Sequence, residues 1–350
     1  MSIAIPKPLL LLPLILVIMV SGCTLPWGNG DVTGESNVLV IESLTAIPST
    51  IKTEQKTSIV AVITNNGEES IPQSGPKNGG TITAEIYDYC PGLFVPADIK
   101  CGSGGTPISD GNAASAAAGR RTGPDGRRIM LQGTNTPVTK CQLGAMTINE
   151  KRQVEWEFRQ SPEQQVETSC DMKMLLKYPY TTTGLTPIHL IEQDEKIKQI
   201  AEGTYQAKES DITKGEGPVK VWFEVVSPQP VSVERGQPGE LTIALHIENT
   251  GQGSLVNNQV KITGITLAKT DANGGDNIVI TTAECEDIKN YQDKQFSLVQ
   301  DNYLKVCSAN ISPAITDFPK ESTVHATVTI EYEYEVTKSV KVTVEPMETH

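Results

Sequence analysis

Aromatic residues, histidine and basic charge are all scarce in this 350-residue chain. Phe, Trp and Tyr supply only 5% of the residues, and four histidines occur. Asp and Glu (42) outnumber Lys and Arg (29), which gives a formal net charge of −13. Binding to nucleic acid requires a basic face, so this charge argues against a nucleic-acid partner. We interpret the acidity as a means of staying soluble.

Motifs that carry catalysis or hold a cofactor are missing as well. The sequence has no HExxH zinc helix, no Walker phosphate loop, no GxSxG nucleophile turn and no GxGxxG dinucleotide turn. His246 and His325 both fall on the polar faces of their predicted strands, and we interpret them as exposed strand residues. We therefore predict no catalytic residue, no cofactor and no resident metal.

A hydrophobic run long enough to span a membrane is also absent near the start. The apolar stretch within residues 8–22 contains Pro13 and is shorter than the roughly 20 residues that a spanning helix needs. Lys7 precedes this stretch and small residues follow it, which is the order of a secretory signal. The pattern predicts a signal peptide over residues 1–22.

The tetrapeptide Val20-Ser21-Gly22-Cys23 ends that segment. It resembles a lipobox, in which a branched apolar residue, a small residue and Gly precede a cysteine that is lipidated and becomes the new N-terminus. The resemblance implies a lipid anchor on Cys23, on the outer face of the cytoplasmic membrane. A retained signal anchor and a simple signal cleavage remain the alternatives. Residues 24–36 read as a flexible tether of about 13 residues, which spans roughly 40 Å when extended.

The other six cysteines form an even set, which in an exported chain is typical of disulfides. No pair is spaced C-x-x-C, so neither a zinc ribbon nor a thioredoxin-like pair is indicated. Cys285 and Cys307 stand alone in the C-terminal half and are expected to pair with each other.

Four cysteines remain in the N-terminal half, and spacing alone leaves their pairing open. We favour Cys90–Cys101, which would close a short Pro/Gly turn, together with Cys141–Cys170, which would bridge neighbouring strands. Cys90–Cys141 is a real competitor.

Strand patterns dominate the rest of the chain. Val154, Trp156 and Phe158 alternate with glutamates at period two, as in a half-buried strand. Residues 241–248 and 324–334 show the same alternation over longer stretches, so the fold class is all-β. One short helix is predicted near residues 190–202, where apolar residues recur at helical spacing and Gly203 suits the end.

The predicted organisation has six consecutive parts, one of which contains an insertion. In chain order they are the signal peptide 1–22, the lipidated cysteine and tether 23–36, a first β-sandwich domain 37–205, a linker 206–218, a second β-sandwich domain 219–346 and a tail 347–350, with a low-complexity insertion at 101–138 in the first domain.

The insertion carries a dense arginine cluster, made of Arg120, Arg121, Arg127 and Arg128. A loop this long is usually functional or disordered. The cluster is a candidate patch for an anionic partner such as a lipid headgroup or a glycan. A solvated, protease-sensitive loop is the alternative interpretation.

The two predicted domains also resemble each other. Residues 58–67 (SIVAVITNNG) parallel residues 242–251 (TIALHIENTG), and the Lys-Tyr-Pro-Tyr at 177–180 parallels the Glu-Tyr-Glu-Tyr at 331–334. An apolar strand running into Asn-x-Gly is similar to the CARDB-type and other immunoglobulin-like modules of archaeal and bacterial cell-surface proteins. This resemblance implies two tandem immunoglobulin-like antiparallel β-sandwiches with an adhesion, spacer or assembly role and no catalysis.

Two classes of function follow from these patterns. The leading hypothesis is a non-enzymatic, lipid-anchored surface protein that binds, spaces or assembles envelope proteins or glycans, including self-association through edge strands. The alternative is a surface-attached enzyme or solute-binding accessory with a site in the insertion or between the domains. Asn310, in Asn-Ile-Ser, is the candidate glycosylation site.

Overall fold

Strands form nearly all of the regular structure. The computed structural model describes residues 37–52, 54–72, 81–108, 139–160, 166–234, 236–237, 239–268, 280–281, 295–311 and 320–346. The strands are β1 Leu39–Ile47, β2 Thr50–Ile51, β3 Lys56–Asn65, β4 Ile82–Asp88, β5 Phe94–Lys100, β6 Thr106–Ile108, β7 Lys140–Leu143, β8 Lys151–Gln160, β9 Thr168–Glu192, β10 Val219–Val225, β11 Val231–Val233, β12 Gly239–Asn249, β13 Ser254–Leu255, β14 Gln259–Ala268, β15 Ile280–Thr281, β16 Gln295–Ser297, β17 Asn302–Ile311 and β18 Glu321–Val344.

The helix α1 spans Gln193–Glu202 and ends at Gly203, whose left-handed backbone (φ 69°) suits a residue without a Cβ. The predictions of an all-β fold and of one short helix in this region are confirmed. No helix in the described part of the chain is long and apolar enough to cross a membrane.

Two four-stranded sheets repeat the same order. One runs β1-β3-β8-β5 and the other β10-β12-β17-β15, so each strand of the first has a counterpart in the second. The strands β3 and β12 contain the first eight residues of the repeated ten-residue motif, and each is the central partner of the first strand of its sheet. The internal repeat seen in the sequence is therefore present in the topology.

The strands β9 and β18 form a long antiparallel ribbon through the whole fold. Their register runs without a shift from Glu321 opposite Ile191 to Val344 opposite Thr168. A further sheet is built around this ribbon in the order β16-β14-β18-β9-β4-β7-β6. Residues 36–350 accordingly form one compact unit.

Each half of the chain contributes strand residues to the sheet of the other half. The early part of β9 pairs with β4, whereas its last residues pair in parallel with β11, as Val231 opposite Leu190 shows. The early part of β18 pairs with β14, whereas its last residues pair in parallel with β2, as Thr343 opposite Thr50 shows. The ribbon thus completes two sandwiches with exchanged strands.

We name these two regions by their strands. The first sandwich comprises β1–β8 with residues 168–178 of β9 and 336–344 of β18, and the second comprises β10–β17 with residues 182–192 of β9 and 321–331 of β18. One continuous set of buried apolar side chains fills both. The predicted domain limits of 37–205 and 219–346 stay a prediction.

Three residues that usually interrupt a strand lie inside β9. A Cβ at Gly184 would lie 1.8 Å from the carbonyl oxygen of Val221, so glycine lets β9 and β10 approach closely. Pro179, Leu185 and Pro187 are separated by even numbers of residues, so their backbone nitrogens lie on the same edge of β9. The N–H of Leu185 points away from β18 and donates to Thr213 O. The missing proline N–H groups therefore remove no bond from the β9–β18 ladder.

The predicted pairing of the four N-terminal cysteines is wrong. The bonds are Cys90–Cys170 and Cys101–Cys141, with Cα–Cα distances of 6.1 and 5.6 Å. Neither Cys90–Cys101 nor Cys141–Cys170 forms, and the competing Cys90–Cys141 pair does not form either.

Strand order explains both corrections. The strand β4 lies between β7, which carries Cys141, and β9, which carries Cys170. Ala84 of β4 lies opposite both Cys141 and Leu176, so Cys170 is about 20 Å further along β9, beyond the reach of a disulfide. The seven residues of β5 separate Cys90 from Cys101 by about 23 Å.

The remaining cysteines are described in part. Cys307 on β17 is disulfide-bonded. Its expected partner Cys285 lies outside the described residues, as do the signal peptide, Cys23, the tether, the tail and most of the insertion, including Arg120, Arg121, Arg127 and Arg128. The predictions for these residues stay predictions.

Candidate interaction surface

The outer face of the second sandwich carries two rows of side chains across β10, β12 and β17. Alternate residues of β12 point to opposite sides, and Ile243, Leu245 and Ile247 are buried in the core. The residues between them face outwards. The register aligns Trp222, His246 and Leu304 in one row, and Glu224, Ala244 and Val306 in the next.

The first row is a ladder of stacked groups. The rings of Trp222 and His246 are nearly parallel (5°), with centroids 4.8 Å apart, which is the spacing of adjacent strands. The ammonium of Lys214 lies 4.2 Å from the centroid of Trp222, a cation–π distance. His246 Nε2 lies 2.7 Å from the carboxylate of Glu224, which links the two rows. The aromatic end of the surface is therefore held in a fixed arrangement.

The other end of the surface is apolar and open. The side chains of Leu304 and Val306 are 60% and 55% exposed. Ala244 lies beside Val306 in the register but is itself buried (3% exposed), so Leu304 and Val306 supply the exposed apolar area. Contiguous apolar side chains on a solvated sheet face often mark an interaction site. We call the residues Trp222, His246, Leu304, Val306 and Ala244 the second-sandwich outer face.

The corresponding face of the first sandwich is polar along β8, although the strand order is the same. The register aligns Ser43, Val62 and Gln153, and in the next row Thr45, Val60 and Glu155. Thus Gln153 and Glu155 stand where the second sandwich has Leu304 and Val306.

Charged pairs stabilise this polar face. Glu155 forms an ion pair with Lys100 at 3.2 Å and accepts a hydrogen bond from Ser58 Oγ at 2.9 Å. Lys151 pairs with Glu42 at 2.7 Å on the same sheet. Since polar residues on β8 are compatible with this sheet, folding alone does not require apolar residues at the equivalent positions of β17.

A second distinctive cluster lies where the two sandwiches meet, around four tyrosines of the ribbon. Tyr180 pairs with Tyr332, and Tyr178 pairs with Tyr334. The hydroxyl of Tyr332 accepts a hydrogen bond from Val219 N (3.3 Å) and shares one with Thr182 Oγ1 (2.9 Å). These hydroxyls join the ribbon to the first strand of a four-stranded sheet.

Burial raises the pKa of all four phenols. The pKa of Tyr180 rises to about 12, mainly through burial and then through nearby glutamates such as Glu69. The pKa of Tyr334 also rises to about 12 through burial, although hydrogen bonds from Gly253 N and to Asn249 Oδ1 act in the other direction. The tyrosines remain neutral at physiological pH and serve packing.

The repeated Asn-x-Gly motif has the same structural role twice. Asn65 Oδ1 accepts a hydrogen bond from Gly67 N, and Asn249 Oδ1 accepts one from Gly251 N. The side-chain amide of Asn65 donates to Glu69 O, and that of Asn249 donates to the carbonyl four residues on. The motif therefore folds a turn after a central strand.

The other predicted site residues are dispersed. His246 lies on β12 and His325 on β18, in different sheets, so they do not form a pair. No group of three or more His, Cys, Asp or Glu residues that could hold a metal occurs among the described residues. Asn310 is half-buried on β17, between Glu240 and Thr281, and its glycosylation stays a prediction.

Sequence patterns did not reveal the second-sandwich outer face. Leu304 and Val306 alternate with Tyr303, Lys305 and Cys307, so apolar residues occur on both faces of β17 and the alternation does not indicate which face is buried. Only the pairing of β17 with β12 and β10 assigns the two aliphatic residues to the row beside Trp222 and His246.

Comparison with known proteins assigns no family. No family model matches the chain, and no curated protein matches its sequence. Membership of the CARDB-type modules therefore stays a prediction.

Some solved structures are similar at a low level. The C-terminal domain of the antigen I/II-family protein AspA of Streptococcus pyogenes is 9% identical, with a TM-score of 0.19, over 85% of this chain and 94% of that one. The Enterococcus faecalis MSCRAMM ACE is 8% identical, with a TM-score of 0.17, over 88% of this chain and 95% of that one. The collagen-binding domain of RspB of Erysipelothrix rhusiopathiae is 9% identical, with a TM-score of 0.17, over 90% and 99%.

Proposed function

We propose that this chain is a non-enzymatic extracellular binding protein, anchored by a lipid on Cys23, that docks another protein of the cell envelope on its second-sandwich outer face. The observation that carries the proposal is the contrast between two equivalent faces. Leu304 and Val306 are exposed where the first sandwich has Gln153 and Glu155.

The chemistry of the face favours a protein partner. Its aliphatic end suits an apolar side chain, whereas Lys214, Glu224 and His246 offer both charge signs and a ring stack at the other end. Apolar centres with aromatic and charged neighbours are typical of protein–protein interfaces. Two disulfides in the first sandwich support a location outside the reducing cytoplasm.

An exchange of equivalent residues tests the docking surface. Leu304→Gln with Val306→Glu gives the second sandwich the residues that the first already has at these positions. We expect this double variant to fold. The yield of envelope partners cross-linked to it should fall by roughly tenfold or more, since burying each aliphatic side chain in an interface contributes about 1.5–3 kcal/mol. Gln153→Ala with Glu155→Ala on the first sandwich is the matched control and should retain them. Equal recovery of partners by all three proteins would refute the docking surface.

The anchor has a separate test. Mass spectrometry of the membrane-bound protein should find a lipid-modified Cys23 at the N-terminus, and Cys23→Ser should release the protein. An unmodified N-terminus together with a variant that stays attached would refute the anchor and leave the docking surface unaffected.

A further inference from the structure

The outer edge of β18 has a gap in its backbone pairing within the first sandwich. Backbone groups on this edge belong to odd-numbered residues, because Thr343 N donates to Ser49 O. The strand β2 pairs with β18 from Thr343 onwards, and β13 pairs with it up to Glu335. Between these points, three exposed residues have no backbone partner on the outer edge among the residues that the structure describes: Thr337, Ser339 and Lys341. An unpaired edge of this kind accepts an added strand.

The equivalent edge of the second sandwich is filled by the chain's own linker. Leu185 N donates to Thr213 O at 2.8 Å, and Thr213 N donates to Leu185 O at 2.9 Å. Ser210 Oγ donates to Pro187 O at 2.7 Å, which extends the contact along β9. The segment before β10 therefore acts as a short antiparallel strand on this edge.

The internal repeat makes the two edges equivalent. Tyr180 of β9 and Tyr334 of β18 occupy the same position in the repeated tyrosine motif, so Leu185 corresponds to Ser339. The ends of the two strands also correspond, because β11 pairs in parallel with the end of β9 and β2 pairs in parallel with the end of β18. The filled edge of the second sandwich therefore shows what kind of segment fits the open edge of the first.

The gap is preformed. Lys338 Nζ donates to Ile41 O at 2.9 Å and to Glu42 O at 3.0 Å, which fixes this part of β18 against β1. The register with β9 also runs through the gap without a shift. A segment that binds here does not have to order the edge first, which lowers the cost of binding.

The length of the gap excludes a second copy of β18 as its occupant. The gap covers residues 336–342, which corresponds to about 23 Å of extended chain. The strand β18 has 24 residues and is paired with β9 along its length. Laid antiparallel in the gap, a second β18 would run into both β13 and β2. The gap therefore suits a short extended segment that enters and leaves within it.

Charge indicates which short segment fits. In the second sandwich Thr213 lies opposite Leu185, so Asp211 reaches the level of Pro187 in the same antiparallel register. Pro187 corresponds to Lys341 in the repeat. The side chain of Lys341 is exposed and forms no ion pair with the residues that the structure describes. A carboxylate at the position of Asp211 would therefore meet an ammonium in the first sandwich.

We propose that the open edge of β18 binds a short acidic segment of another protein as an added antiparallel strand. Backbone hydrogen bonds to Thr337, Ser339 and Lys341 hold the segment, and a carboxylate two residues before the residue opposite Ser339 lies beside Lys341. This site is distinct from the second-sandwich outer face, because it lies on the ribbon edge of the first sandwich. Neither proposal requires the other.

A synthetic peptide of residues 209–215 (ESDITKG) is the probe, because it contains the segment that fills the equivalent edge. Hydrogen-bonded antiparallel pairs have Cα atoms about 5.5 Å apart, within disulfide range. The peptide with Thr213→Cys should therefore form a disulfide with the full-length chain carrying Ser339→Cys under mild oxidation, mapped by mass spectrometry. Thr337→Cys is the matched control on the same strand, since two residues out of register place the Cα atoms about 8–9 Å apart.

The rates decide the proposal. A disulfide that forms roughly tenfold faster at Ser339→Cys than at Thr337→Cys supports the added strand. Equal rates at the two positions overturn it. The same peptide with Asp211→Lys should react about threefold more slowly at Ser339→Cys, because a carboxylate beside Lys341 is replaced by a like charge. A peptide with Asp211→Lys that reacts as fast as the parent overturns the acidic preference.

Hydrogen exchange gives an independent reading without added cysteines. The unmodified peptide should slow exchange of the Thr337 and Lys341 amides at least about threefold in the full chain. Ser339→Pro should abolish this effect, because proline removes the central outward donor without removing a bond to β9. No slowing by the peptide overturns the proposal. Exchange at Thr337 and Lys341 that is already as slow as at Leu185 without peptide also overturns it, since the edge is then already filled.

Discussion

Strand exchange predicts that a residue near the C-terminus supports the sandwich built by the N-terminal half. Val342 and Val324 both lie on β18 and both are fully buried (0% exposed). Val342 lies opposite Cys170 in the first sandwich, and Val324 lies opposite Ile188 in the second. Alanine at each position makes a matched pair of variants that differ in the sandwich they affect.

The expected cost follows from the two methyl groups removed. Their transfer out of water contributes about 1.6 kcal/mol, at about 0.8 kcal/mol per carbon. The cavity that remains adds to this, so we expect Val342→Ala to cost about 2–3 kcal/mol. A loss of about 2 kcal/mol corresponds to roughly 30-fold faster exchange of amides that open with the affected structure.

Hydrogen exchange with peptide resolution separates the two variants. Val342→Ala should accelerate exchange in β3 and β8 more than in β12 and β17, and Val324→Ala should do the reverse. Exchange in β3 and β8 that is unchanged by Val342→Ala, with acceleration confined to β12 and β17, would refute the exchanged-strand architecture.

Three further expectations concern the ribbon. Tyr332→Phe should lower the free energy of unfolding in urea by about 1–3 kcal/mol, because it removes the hydroxyl to which buried groups are hydrogen-bonded. The exposed control Tyr87→Phe should change this free energy by less than about 0.5 kcal/mol. The pKa values of Tyr180 and Tyr334 are raised from 10.0 to about 12, so the neutral phenols stabilise the fold fully below pH 10, and this stability should be lost as the pH rises from 10 towards 12. Absorbance titration of tyrosinate in the folded protein should therefore show delayed ionisation of these residues. Ionisation of all tyrosines near pH 10 in the folded protein would contradict this. Gly184→Ala should cost at least about 2 kcal/mol in the same urea assay, since its Cβ would meet a backbone carbonyl at 1.8 Å; a neutral effect would exclude the close crossing of β9 and β10.

Strands were predicted best from the sequence where one face is buried and the other is exposed to solvent. The alternation in residues 241–247 and 324–334 marked β12 and most of β18 correctly, because period two follows directly from the pleat. Within β9 the sequence pattern predicts a strand only over residues 171–180, whereas the strand runs from Thr168 to Glu192. The role of Gly184 at a close crossing and of Pro187 at the edge beside Ser210 depends on neighbours far away in sequence.

Long-range features needed the strand order. The correct pairing of Cys90 with Cys170 follows from the adjacency of β4 and β9, which no spacing of cysteines encodes. The apolar outer face has the same origin, because Trp222, His246 and Leu304 come from three strands. Local patterns specified the elements, whereas topology specified the disulfides and the surface.

The exchanged ribbon also has a consequence for biosynthesis. Most domains fold in order as the chain emerges, with the N-terminal one first. Here the sheet of the first sandwich contains residues 336–344, whose final pair joins Val344 to Ile51. Neither sandwich is complete until almost the whole chain has been made. A chain that must cross a membrane unfolded would thus stay open during synthesis and close both sandwiches together on the far side.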